Sequence, residues 1–98
     1  MKVNRKLTKL ITGRTMISFD LKDNLLVITF EDDSIIKIKT PLTELPGELQ
    51  PSKIKDVYQD DNVIEFEYED KTKADIKLAE PASSVMLRDG KGVMEYAD

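Results

Sequence analysis

The chain repeats itself. Residues 16–40, MISFDLKDNLLVITFEDDSIIKIKT, align without a gap onto residues 54–78, IKDVYQDDNVIEFEYEDKTKADIKL, at a constant offset of 38. Asp23-Asn24 falls on Asp61-Asn62, Glu31-Asp32 on Glu69-Asp70 and Ile38-Lys39 on Ile76-Lys77. A duplication of this kind fixes architecture before any local propensity is weighed. It predicts two copies of one unit and moves the search for function to what lies outside the copies.

Within each copy the apolar period is two. Leu26, Ile28 and Phe30 point one way, and Leu25, Val27 and Thr29 the other. Ile64, Phe66 and Tyr68 take the inward places in the second copy, while Glu65, Glu67 and Glu69 face out. Ile36 and Ile38, then Ala74, Ile76 and Leu78, form third strands; Ile17, Phe19 and Leu21, then Ile54, Val57 and Tyr58, form first strands. Asp and Asn cluster between these runs, as turns require. The expected fold is mainly β: two repeated three-stranded antiparallel meanders, about six strands, in one domain over residues 1–98.

The flanks add short helical or turn elements. Val3, Leu7, Leu10 and Ile11 have helical spacing before Gly13, with a strand as the competing reading. Residues 41–51 hold three prolines and a glycine, so they form a loop whose leucines cover a sheet edge or the open end of the core. In residues 79–98, Pro81 at a first helical position predicts a short helix or turn near 82–89. Val27 corresponds to Glu65, Thr29 to Glu67 and Ile35 to Lys73, so the first meander is apolar on both faces. Such a sheet is expected to be covered by the terminal segments or by another subunit, giving a homodimer or higher homo-oligomer.

With no Cys and no His, ordinary zinc sites, cysteine nucleophiles and Ser-His-Asp triads are excluded. The expectation is a non-enzyme with no cofactor; a carboxylate-based hydrolase is the catalytic alternative. Charged residues make up 35 % of the chain and the net charge is −4, with residues 54–80 strongly acidic. That argues against a long nucleic acid as partner. No apolar run approaches a membrane span and no signal-peptide pattern is present, so the expected location is cytoplasmic.

Arginine is scarce: Arg5, Arg14 and Arg88. Arg14 borders the first repeat and Arg88 follows the second, and guanidinium groups pair with phosphate in a way lysine cannot reproduce. The alternative is that each pairs with a carboxylate, Arg88 with Asp89 or Glu80 for instance. Convergence of the two arginines in a cleft favours a small phosphorylated ligand. Pairing with carboxylates favours a protein–protein interaction module with no small ligand.

The stretch Ile-Thr-Gly-Arg-Thr at 11–15, the duplicated meander and Ser-Ser-Val-Met-Leu-Arg-Asp at 83–89 running to Glu-Tyr-Ala-Asp at 95–98 resemble the Thoeris anti-defence protein one family, over nearly the whole chain. That resemblance implies a β-rich homo-oligomeric phage sponge acting in the host cytoplasm. Such a sponge sequesters, without cleaving, a nucleotide-derived immune signal: a cyclic ADP-ribose isomer or a cyclic oligonucleotide. It further implies Arg14 and Arg88 as phosphate contacts, Phe19, Met86 or Leu87 lining a base pocket, and Ser84 or Asp89 as polar contacts.

Overall fold

The computed structural model describes residues Met1–Asp98. The repeats form the expected meanders: β2 (Met16–Lys22), β3 (Leu25–Phe30) and β4 (Ile35–Lys39), then β5 (Ile54–Gln59), β6 (Val63–Tyr68) and β7 (Lys73–Lys77). They occupy separate sheets. β1 (Lys2–Val3) extends the second meander to give the order β1-β5-β6-β7. β8 (Val85–Arg88) and β9 (Met94–Ala97) extend the first, giving β2-β3-β4-β8-β9. The inner faces share one core, with Ile28, Phe30, Ile36, Ile38, Ile64 and Phe66 wholly buried.

Equivalence of the copies reaches individual bonds. The Met16 N–H donates to the Ser52 carbonyl and the Ile54 N–H to the Arg14 carbonyl, both at 2.9 Å. Thr15 and Lys53 pair with each other on the local two-fold so defined. Both first strands bulge at the same repeat position, at Ile17 and Lys55. Both second turns use one device: Asp32 accepts from the N–H and hydroxyl of Ser34, and Asp70 from those of Thr72. The first turns diverge. Asp23 and Asn24 both have positive φ, as a tight primed hairpin turn demands. In the second copy the Asp60 carboxylate instead accepts from the N–H groups of Asn62 and Val63.

The bulges correct the phase expected for the first strands. Ile17 is the extra residue and is 47 % exposed, while Met16 is buried in its place. In the second copy Ile54 and Val57 are buried and Tyr58 lies opposite Glu65 on the outer face.

The amino-terminal helix is present as α1 (Arg5–Ile11), capped by the Asn4 side chain accepting from the Leu7 N–H. It buries Leu7 and Ile11. Along the β5 edge it supplies hydroxyls where a strand would supply backbone: Thr8 bonds both the N–H and the carbonyl of Val57, and Thr12 donates to the Lys55 carbonyl. An open sheet edge is thereby closed. Leu42 and Leu49 of the linker pack against the core, and Leu45 stays 45 % exposed.

The helix or turn expected near 82–89 begins as a turn and is a strand over half of that span, Val85–Arg88. Ala82 takes a positive φ of 57° and turns the chain. Val85 and Leu87 then alternate with Met86 and Arg88, facing Ile38 and Ile36 across β4. Period-two burial and the free edge of β4 outweigh the helix-start signal at Pro81. The terminal segment therefore widens the sheet instead of covering it, and Leu25, Val27 and Ile35 remain on an uncovered outer face.

The turn after β8 meets the turn after β3. A Cβ on Gly90 would lie 2.9 Å from the Asp32 carbonyl and 3.3 Å from the Asp33 Cβ. Gly90→Ala is expected to cost about 1–3 kcal/mol as an overpacked contact. Urea unfolding checks this against Gly47→Ala, whose Cβ meets nothing within 4 Å.

Candidate functional site

The two arginines do not line one hollow. Arg14 leaves the pseudo-two-fold crossing and meets Glu95, the residue that bulges out of β9 opposite Leu87–Arg88. Its guanidinium donates to both Glu95 oxygens, at 3.0 and 3.2 Å, and to the Ser34 hydroxyl at 3.0 Å. Its Nε lies 3.5 Å from Asp32. Burial pushes the Asp32 carboxyl up, but the Ser34 hydrogen bonds and the Arg14 charge outweigh it and hold the carboxyl below its ordinary value. A hollow of about 400 Å³ beside Arg14 is lined by Gly13, Thr15, Glu31 and Asp32 with no apolar wall. Arg88 stands on the outer face opposite Ile35 and donates to the Gly92 carbonyl at 2.9 Å, inside its own hairpin. It pairs with neither Asp89 nor Glu80.

The remaining expected site residues divide by burial. Leu87 is fully buried in the core, which corrects its assignment to a base pocket: its side chain points between the sheets. Phe19 sits opposite Ile28 and packs on the core, so it too faces inward. Asp89 organises the β8–β9 turn, accepting from the N–H groups of Lys91 and Val93. Ser84 is buried, with its hydroxyl donating to the Glu80 carbonyl and accepting from the Glu80 N–H. That bond pair closes a loop where a helix start was expected.

Ser84 and Met86 do come together, in a hollow of about 320 Å³ on the outer face of the five-stranded sheet. Leu25, Val85, Met86 and Ala97 give it apolar wall, and Lys37 and Lys39 stand over it from alternate positions of β4. Neither lysine has a carboxylate within ion-pair distance. Asp98 also lines the hollow, but its carboxylate accepts from the Val85 N–H at 2.9 Å and the Gln59 amide at 2.8 Å. Arg88 and Lys22 share this outer face, one strand to either side of the β3–β4 pair. Sequence reasoning missed both lysines because arginine was weighted for phosphate. The available signal was their alternation, Lys37 and Lys39 being in phase with Ile35 on the apolar outer face.

The other outer face is acidic. Glu65 lies opposite both Tyr58 and Asp75, and Glu67 opposite Asp56 and Lys73. A side-chain hydrogen bond to Asp75, then burial and the Asp75 charge, raise the Glu65 carboxyl above its ordinary value. A raised folded-state value gives stability present at low pH and lost as pH climbs through it. Asp75→Asn is therefore expected to stabilise the fold at pH 7 by a few tenths to about 1 kcal/mol, since like charges directly opposite are unfavourable. The gain should shrink on acidification below the unfolded Glu range, as melts of both proteins across pH will read. No cluster of three or more carboxylates is arranged to hold a metal ion.

Comparison with known proteins gives no match: no family model, no curated protein and no solved structure is similar to this chain.

Proposed function

We propose that this protein captures a small phosphorylated, nucleotide-derived ligand without converting it, in the hollow beneath Lys37 and Lys39. The observation that carries this reading is the pair of unneutralised lysines standing over an apolar floor. A nucleotide presents the same combination, a flat apolar ring joined to anionic oxygens, and ligand sites of this size pair apolar lining with a few placed polar groups. Lys22 and Arg88 on the same face add to the attractive field. The Arg14 guanidinium is occupied by Glu95, so the charge assigned to Arg14 by resemblance passes to the lysines.

In its finer form the proposal follows the resemblance to the Thoeris anti-defence family. The captured molecule is a cyclic ADP-ribose isomer or a cyclic oligonucleotide, and capture lowers free signal below what a defence effector needs. Protein abundance then counts as much as affinity, because each site removes one molecule. The test is incubation with lysate from cells making cyclic ADP-ribose isomers or cyclic oligonucleotides, removal of small molecules, and heating to release what was held. Recovery of an intact nucleotide supports the proposal; recovery of nothing, or of a cleaved product, overturns it.

A second reading, an association module with no small ligand, has its own support. Arg14 is neutralised by carboxylates, and Leu25, Val27, Ile35 and Met86 form an uncovered apolar surface. A protein partner that competes with no nucleotide is its distinguishing result.

A further inference from the structure

The third strands of the two copies end differently. In the first copy β4 is paired on its far side by β8, and the Lys39 N–H donates to the Ser84 carbonyl at 2.8 Å. In the second copy β7 ends the order β1-β5-β6-β7, with no strand beside it. The ladder has the same phase in both. The Phe30 N–H donates to the Ser34 carbonyl as Tyr68 does to Thr72, and Thr40 donates to Asn24 as Leu78 does to Asn62. So the backbone groups of Lys73, Asp75 and Lys77 point away from β6, as those of their equivalents Ile35, Lys37 and Lys39 point towards β8. The largest hollow on the molecule, about 580 Å³, lies between the outer side of β6–β7 and the linker of residues 41–51. Leu42, Leu45 and Val63 give it apolar wall, and Leu45 is 45 % exposed. Glu44, Glu48 and Asp75 stand round it against one cation, Lys77. Lys73, at the far end of the strand, lies 3.9 Å from Glu65 and over the Tyr58 ring.

We propose that β7 receives an extended segment of another protein, added antiparallel as β8 is added to β4, with an apolar and a basic side chain two residues apart facing the hollow. In strand addition the main-chain bonds supply affinity and the pockets for alternate side chains supply specificity. The basic side chain lies opposite Asp75, within the field of Glu44 and Glu48, and the apolar one covers Leu45. The fold already accepts this pattern once: Met86 and Arg88 alternate outward on β8. A second β7 is a poor occupant. Pairing centred on Asp75 would set Asp75 against Asp75 and Lys73 against Lys77, and like charges directly opposite are unfavourable. The edge belongs to the sheet that lacks Lys37 and Lys39, so its use does not depend on ligand capture.

Fluorescence anisotropy of a labelled peptide, Ser-Leu-Val-Arg-Leu-Thr, tests this on the unmodified protein. With its Arg opposite Asp75, the N–H of that Arg faces β7 and the N–H of the preceding Val faces away. Binding should saturate. N-methylation at the Arg should weaken it about tenfold or more, as one lost main-chain bond requires, and N-methylation at the Val less than about twofold. Exchanging the Arg for Glu should weaken binding about five- to tenfold. Asp75→Lys should reverse that preference, taking the Glu peptide and losing the Arg peptide, and the recovery shows the variant to be folded. No saturable binding, an equal response to the two methylations, or no reversal by the charge exchange overturns the inference. So does a second copy of the chain on this edge, read as dimerisation that the peptide reverses.

Discussion

Replacing Lys37 and Lys39 together by alanine should weaken retention of a phosphorylated nucleotide about 10²–10⁴-fold while leaving the fold intact. Each lysine makes no ion pair in the free protein, so its removal strands no partner. A charge-assisted hydrogen bond to phosphate contributes about 1.5–3 kcal/mol, and two lost together amount to that fold-change in Kd. Arg88→Ala, on the same face but tied to the Gly92 carbonyl, should cost less than about tenfold through the weaker field. Isothermal calorimetry with cyclic ADP-ribose isomers reads these values, and unchanged melting of the double variant shows that the loss is one of binding.

Arg14→Met should have the opposite profile, a large loss of stability with ligand capture preserved in the folded protein. Arg14 holds the Ser34 hydroxyl and both oxygens of Glu95, and its side chain is 19 % exposed. Removing it leaves Glu95 and the bulge of β9 without their partner. A fully buried pair broken on one side costs about 3–5 kcal/mol; with side chains one fifth to one quarter exposed, solvent screening reduces this to about 2 kcal/mol. For a domain of this size that is a fall of roughly 8–16 °C in Tm. Arg14→Lys should recover only part of it, because an ammonium cannot form the two parallel bonds that Glu95 accepts. Calorimetric melts of the two variants decide it, and an unchanged Tm for Arg14→Met removes Arg14 from the framework.

The meanders were legible in the sequence because their inward positions, from Leu26 to Phe30 and from Ile64 to Tyr68, alternate without interruption. The duplication carried more than strands. The turn chemistry at Asp32 and Asp70 and the bulges at Ile17 and Lys55 sit at equivalent positions of the two copies. The bulge itself was not legible: one inserted residue reverses the phase, and Ile17 looks as inward as Phe19 in a strict alternation. The β8–β9 hairpin was hidden for a related reason. Val85 to Arg88 is four residues long, too short for its period to outweigh Pro81, and its burial depends on the free edge of β4.

The candidate site was legible only in part. Ser84 and Met86 fall in the hollow, but Leu87, adjacent to Met86, points into the core by simple alternation. Arg14 is distinguished from Arg88 by Glu95, a contact across 81 residues of chain that no local spacing reveals. Nothing near Lys37 and Lys39 in the chain marks a hollow, which forms only where β8 lies beside β4 and walls it with Val85 and Met86.

Amide chemical-shift mapping during titration with a cyclic ADP-ribose isomer addresses the reading most directly. The largest shifts should cluster at Leu25, Lys37, Lys39, Ser83 and Met86 and saturate with the nucleotide's own resonances showing no turnover. Shifts confined to Gly13, Arg14, Thr15 and Asp32, or no saturable shifts anywhere, contradict capture on the outer face of the five-stranded sheet.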